Sequence, residues 1–231
     1  MIKYEHIFFD LDRTLWDFEE NSKETLQDIF LKHNLTSKGI PSFKNFHSTY
    51  RTINHALWAQ YRSGIITKEY LSVQRYHKTL QYFIIDNYEL AQKISYDYIT
   101  ISPTKTRLFP YTHEILSYLS KKYKIHIITN GFNEVQFQKV KNADLEKYFQ
   151  AIITSEDAGA KKPDPKVFDY ALEQTGAIKS NSIMIGDDAK TDILGAKKAG
   201  IDQIFFNYHN KKEDISSTYK INSLEEIKNI L

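Results

Sequence analysis

The strongest constraint on the fold is Ile7-Phe8-Phe9-Asp10-Leu11-Asp12-Arg13-Thr14, an apolar strand that stops abruptly at two carboxylates. Three matching fragments follow: Ile127-Ile128-Thr129-Asn130-Gly131, Lys161-Lys162-Pro163-Asp164-Pro165, and Ile183-Met184-Ile185-Gly186-Asp187-Asp188, with Asp192 just beyond. Three of the four end a hydrophobic run on an oxygen-bearing side chain. In an open parallel sheet the carboxyl ends of the strands line the crevice where ligands bind. Asp10, Asp12, Thr129, Asp187 and Asp188 are therefore expected in one cleft.

From Phe109 onward the pattern alternates helix and strand, the arrangement that builds a parallel sheet covered on both faces. Strands are predicted at 124–129, 151–154, 182–185 and 203–206. Asp164 caps a helix with Pro165 in its first turn and Gly176 at its stop. A helix over 191–199 ends at Gly200, and Ser223 caps a closing helix from Leu224. Residues 17–102 break this rhythm and read as helical throughout. Asn21 with Glu24 suggests a capping box, Ser42 opens a long helix stopped by Gly64, and Thr67 and Asp86 suggest two further caps. A crossover between strands needs only about a dozen residues, so this stretch is an insertion. The predicted fold is α/β, a doubly wound parallel sheet formed by residues 1–16 and 103–231, with a helical cap domain over 17–102 lying across the cleft.

Composition narrows the function classes. Lys and Arg total 31 against 29 Asp and Glu, a balance unlike the basic stripe of a nucleic-acid binder. The absence of cysteine rules out disulfides and thiolate metal sites. The stretch Met1-Ile2-Lys3-Tyr4-Glu5-His6 leads into a strand without a signal-peptide pattern, and no apolar run approaches the roughly 18 residues of a membrane helix. The expectation is a cytoplasmic protein, monomer or homodimer, with no membrane and no nucleic-acid polymer as partner.

The clustered residue types suit phosphoryl transfer. Asp10 and Asp12, two apart on extended chain, point the same way, and paired carboxylates repel unless a proton or metal ion lies between them. With Asp187 and Asp188 they form a patch of hard oxygen ligands suited to Mg²⁺. A transferred phosphoryl group also needs cationic and hydrogen-bonding partners. Lys162 offers charge, and the Thr129 hydroxyl with the backbone amides of Asn130 and Gly131 offers donors.

The four fragments, in this order, resemble the motif set of the haloacid dehalogenase superfamily of phosphatases, over nearly everything from Ile7 to Phe206. The resemblance implies a core often ordered 5-4-1-2-3 and a helical cap inserted after the first motif. It implies Asp10 as the nucleophile that forms an aspartyl-phosphate and Asp12 as the acid that protonates the leaving oxygen, then the base that activates water. Thr129 is implied to bind phosphoryl oxygens and Lys162 to neutralise charge. Mg²⁺ is implied on the Asp10 carboxylate, the Asp12 main-chain carbonyl and Asp187, with Asp188 and Asp192 behind these ligands. Arg13, where relatives often carry a small or acidic residue, is expected to turn away from Asp10 and Asp12.

A closer resemblance is to the house-cleaning pyrimidine 5′-nucleotidases of this superfamily. It rests on Phe8-Phe9-Asp10 through Thr14-Leu15, Leu57-Trp58 with Tyr61, Gly64-Ile65-Ile66-Thr67, Ile127 to Phe132, Phe168 to Gln174 and Asp192-Ile193-Leu194-Gly195. It implies hydrolysis of nucleoside monophosphates, pyrimidine ones above all. Trp16 and Phe18 are the candidates to stack on a base, Trp16 foremost, the alternative being that they pack cap on core. Alternatives for the whole chain are a sugar-phosphate or phosphoglycolate phosphatase of the same superfamily, or an inactive protein that binds a phospho-ligand. A haloacid dehalogenase is disfavoured, because it needs neither a second acid at Asp12 nor a metal.

Overall fold

Strand and helix alternate along the second half of the chain in the computed structural model, which describes residues 3–210, 212 and 215–231. Met1 and Ile2, read above as leading into the first strand, lie outside the described residues. In chain order the elements are β1 (His6–Phe9), α1 (Phe18–Lys32), α2 (Phe43–Arg62), α3 (Lys68–Tyr82), α4 (Tyr88–Ile101), α5 (Thr112–Leu119) and β2 (Lys124–Thr129). There follow α6 (Asn133–Asn142), β3 (Ala151–Thr154), α7 (Pro165–Thr175), β4 (Ser182–Gly186), α8 (Leu194–Ala199), β5 (Asp202–Phe206) and β6 (Tyr219–Ile221). They fall into two compact units, one ending at Phe18 and resuming with Thr106–Leu231, the other Glu19–Lys105. Among the described residues no helix is long and apolar enough to cross a membrane.

The first unit holds a six-stranded parallel sheet in the order β3-β2-β1-β4-β5-β6. The expected five-strand order is present. β6 extends it by three residues, too short a run for periodicity to reveal. Phe9 is level with Ile127 of β2 and Ile185 of β4. Asp10, the end of β2 at Thr129 and the end of β4 at Gly186 therefore share one edge of the sheet.

Alternation along the strands sorts the core into two layers. Ile7, Phe9, Ile125, Ile127, Ile183 and Ile185 pack with Ile115, Leu116 and Leu119 of α5 and Val140 of α6. Phe8, Ile128 and Met184 pack with Phe168, Ala171 and Leu172 of α7 and Ala196 and Ala199 of α8. Each fully buried large apolar side chain contributes about 1.5–3 kcal/mol, so the strand ends are anchored from both faces. Asp164 caps α7 through the Lys166 amide at 3.0 Å, and Gly176 closes that helix at φ 65°.

Several local expectations are corrected. The segment after β4 begins as a turn of π-helix over Ala189–Ile193 before α8, and the C-terminal helix is 3-10 over Leu224–Asn229. In the second unit Asn21 lies buried within α1, which starts at Phe18, three residues inside the helix rather than at its N-cap. Asn87, one residue past Asp86, caps α4 through the Leu90 amide. Asp86 instead accepts from His77 at 2.9 Å and Gln81 at 3.0 Å. Ser42 and Thr67 cap α2 and α3 as expected. The core of this unit joins Leu26, Ile29 and Phe30 of α1 to Phe46, Tyr50, Tyr76, Leu80, Ile94 and Tyr98.

A stacked pair of histidines lies inside the first unit. His6 and His126 stack with centroids 5.3 Å apart, and His6 Nδ1 lies 3.1 Å from His126 Nε2. Burial, then the charge of His6, presses His126 down to about 4. The unfolded chain takes up a proton below about pH 6.5 that the folded state refuses, so stability is full above that pH and falls as pH drops toward 4. Urea titrations across this window should show a loss of up to about 3 kcal/mol. In His126→Phe the slope should be clearly shallower; an unchanged slope would place the acid sensitivity elsewhere.

Candidate active site

An ammonium has three hydrogens to donate, and those of Lys162 are all taken. They reach Asp10 Oδ1 at 2.7 Å, Asp192 Oδ1 at 2.7 Å and the Ile128 carbonyl at 2.8 Å. Lys162 is 1% exposed, and its approach is set by Asn130, whose side chain bonds both the amide (2.9 Å) and the carbonyl (3.0 Å) of Lys162. The Asn130 side chain thus clasps the Lys162 loop, which leaves the expectation for its backbone amide untouched, and the three hydrogens of Lys162 are engaged within the site.

The carboxylates outnumber that ammonium. Asp10, Asp187 and Asp192 each bring an oxygen within 4.8 Å of the others. Burial pushes the Asp10 carboxyl up to about 7 against the pull of Lys162, with Asp192 adding to the rise. Burial, then Asp192 and Asp10, raises Asp187 well above the usual range. Burial alone would press Lys162 down, but Asp10 and Asp192 hold it above its ordinary value. Three carboxylates face the Lys162 ammonium, with the Arg13 charge also drawing on Asp187, and a hard divalent cation with oxygen ligands fits the excess negative charge that remains.

Asp188 and Asp192 are placed by the turn after β4. Asp188 Oδ1 accepts from the amides of Lys190 and Thr191, both at 2.9 Å, so it caps the π-turn. Asp192 Oδ2 accepts from the Asp188 amide at 3.1 Å. A side chain at Gly186 would run into the Asp192 carboxylate, so glycine there makes room for the pairing with Lys162.

Asp12 is held by different partners. Lys139 Nζ lies 2.6 Å from Oδ1, and Gln136 Nε2 donates to Oδ2 at 3.0 Å. Gln136 places its other hydrogen on Thr129 Oγ1 at 2.8 Å, and the Gly131 amide donates to the same oxygen at 3.0 Å. With two bonds accepted, the Thr129 hydroxyl keeps its own proton to offer an incoming oxygen. The Gly131 amide, expected to face a phosphoryl group, is thus turned onto Thr129. Glycine at 131 serves space, since a Cβ there would overlap the Gln136 side chain.

Two further expectations change. Trp16 is fully buried in the core of the first unit, with Lys139 Nζ 4.0 Å from its ring centroid, so its indole is not available to stack on a base. Arg13 does not follow the strand alternation. Its φ is 69°, its guanidinium lies 4.2 Å over the Phe18 ring, and it lines a small cleft with Asp187.

Gln136 and Lys139 were missed in the sequence, as was Thr14, whose hydroxyl lies 3.4 Å from Asp10 Oδ2. A signal existed. Val135, Gln136, Lys139 and Val140 form the buried stripe of α6, and a lysine in such a stripe must find a carboxylate.

Comparison with known proteins gives the family. Residues 7–206 match the family of haloacid dehalogenase-like hydrolases. The chain is 33% identical to pyrimidine 5′-nucleotidase YjjG of Escherichia coli over 100% of this chain and 99% of that protein. It is 29% identical to pyrimidine 5′-nucleotidase PynA of Streptococcus pneumoniae over 99% and 97%. The magnesium-bound structure of the HAD-hydrolase YfnB from Bacillus subtilis covers 99% of both chains at a TM-score of 0.90 and 27% identity. The chain belongs to the haloacid dehalogenase-like hydrolase family, as a phosphatase.

The excess negative charge has a measurable consequence. Carboxyls whose folded pKa is raised favour folding as pH falls and oppose it as pH rises, so the metal-free protein carries a penalty at pH 8. In chelator at pH 8, Asp187→Asn should melt at least about 3 °C above the parent, roughly the shift given by 1 kcal/mol in a protein of this size. Mg²⁺ should raise the melting temperature of the parent and leave that of the variant unmoved. Equal responses to Mg²⁺ would remove Asp187 from the metal site.

Proposed function

We propose that the chain is a Mg²⁺-dependent phosphomonoesterase acting through an aspartyl-phosphate on Asp10, with pyrimidine nucleoside 5′-monophosphates as substrates. The observation that carries the chemistry is the pairing of Asp10 with Lys162 beside an independently held Asp12. Lys162 bonds Asp10 Oδ1, and Oδ2, with the Thr14 hydroxyl 3.4 Å away, is the oxygen that attacks phosphorus. As the bond from phosphorus to the ester oxygen breaks, Asp12 gives that oxygen a proton. Asp12 then takes a proton from water as the water oxygen bonds to phosphorus and the bond to Asp10 breaks, releasing inorganic phosphate. The Thr129 proton steadies a phosphoryl oxygen. Held by Asp10, Asp187 and the Asp12 main-chain carbonyl, a magnesium ion would neutralise charge on the phosphoryl oxygens.

The nucleotide preference rests on likeness along the whole length to two proteins named as pyrimidine 5′-nucleotidases. Binding energy from a base and ribose can orient the phosphate, a handle that a small phosphorylated acid lacks. Asp10→Asn should keep the fold and fall below about one per cent of parental turnover, a loss exceeding about 2.7 kcal/mol at the barrier. Higher residual activity would remove Asp10 as nucleophile.

In a substrate panel, kcat/KM for a pyrimidine nucleoside monophosphate should exceed that for glucose 6-phosphate and phosphoglycolate. If a hexose phosphate or phosphoglycolate ranks first, the nucleotide reading fails and the phosphatase chemistry stands.

A further inference from the structure

Lys139 is 4% exposed on the buried stripe of α6. A charge in that position is tolerated only when paired and hydrogen-bonded. Its ammonium sits between Asp12 Oδ1 at 2.6 Å and the face of Trp16 at 4.0 Å, with the Phe18 ring at 5.8 Å. The ammonium is thus seated on aromatic faces and aimed at a single carboxylate oxygen, a cation–π arrangement strengthened by exclusion of water.

The second carboxylate oxygen is also accounted for. Gln136, three residues earlier on the same helix face, donates to Asp12 Oδ2 and to Thr129 Oγ1. One amide therefore spans the carboxyl group and the threonine hydroxyl. With a separate donor on each oxygen, the plane of the Asp12 carboxyl cannot rotate without breaking a bond.

We propose that Lys139 and Gln136, backed by Trp16, are positioning residues that set the orientation of the Asp12 carboxyl relative to Thr129, so that Asp12 meets the departing ester oxygen. This rests on the reading of Asp12 as the acid–base group. Lys139 acts through Asp12, and Gln136 acts through Asp12 and Thr129. Trp16 takes part as the seat of the Lys139 ammonium.

The signature of such a role is sensitivity to the leaving group. A nucleoside 5′-oxygen departs as a strongly basic alkoxide unless protonated, whereas p-nitrophenolate is stable without a proton. Misaligning Asp12 should therefore slow transfer from a nucleotide far more than transfer from p-nitrophenyl phosphate. A purely structural lysine would slow both alike.

The test is single-turnover kinetics of phosphoryl transfer from a pyrimidine nucleoside monophosphate and from p-nitrophenyl phosphate, with the full chain at saturating Mg²⁺. Lys139→Met should lower the rate constant for the nucleotide at least about 30-fold, within the range general acids supply, and that for p-nitrophenyl phosphate less than about 5-fold. KM should hold for both, and Lys139→Arg should restore the nucleotide rate to within about 3-fold of the parent. Gln136→Leu removes the other donor without exposing a buried charge, and should repeat the pattern at about 5-fold or more if Lys139→Met does not fold. Equal losses for the two substrates, or no loss for the nucleotide in a folded variant, would overturn the proposal. Asp12→Asn separates the two levels of inference. If it transfers from the nucleotide at the parental rate, the role of Asp12 fails. If it is slowed selectively while Lys139→Met and Gln136→Leu are not, only the positioning role fails.

Discussion

The arrangement of this site depends on one ammonium group that has no hydrogen left over. Lys162 bonds Asp10, Asp192 and the Ile128 carbonyl, and in doing so ties the ends of β1 and β2 to the turn after β4. A surface ion pair would do little, because water competes for both partners. Here the ammonium is buried and removing it would leave two carboxylates without their partner, a far larger cost. The same contacts direct Asp10 Oδ1 onto the ammonium, while Oδ2 lies 3.4 Å from the Thr14 hydroxyl. Asn130, though part of the motif that reads as a phosphate loop, contributes by holding the Lys162 backbone in place.

A second network runs parallel to the first and shares no side chain with it. α6 presents Lys139 and Gln136 to Asp12, and Gln136 continues to Thr129. Asp10 and Asp12 are two residues apart, yet each is assigned its own lysine. The two carboxyls therefore sit in separate hydrogen-bond networks, one joined to Asp192 through Lys162 and the other to Thr129 through Gln136. Environment, more than residue type, distinguishes the two carboxyls.

The two networks make opposite demands on stability. Lys139 is compensated by Asp12 and the Trp16 face, whereas Asp10, Asp187 and Asp192 exceed the charge Lys162 can supply. The fold carries that imbalance because the two apolar layers hold the strand ends from both faces. Such a cluster of buried carboxylates carries an electrostatic cost that the surrounding core offsets, and a hard divalent cation fits it.

Much of the first unit was legible in the sequence. Asp164-Pro165 and Gly176 bound α7, the strand Ala151–Thr154 falls where its apolar run falls, and the polar residues that end β1, β2 and β4 share one sheet edge. These features are local: capping, φ preference and strand periodicity act within a few residues. What the sequence could not decide was partner choice. Trp16 reads equally well as a stacking platform or as core, and only its enclosure beside Lys139 settles it. Gln136 and Lys139 look like ordinary polar helix residues until α6 turns that stripe onto Asp12, 124 and 127 positions away. Gly131 and Gly186 each clear room in the fold for a side chain packed against them. Local rules determine elements and their ends; which donor meets which acceptor is decided by packing, because burial is what turns an unpaired polar atom into a cost.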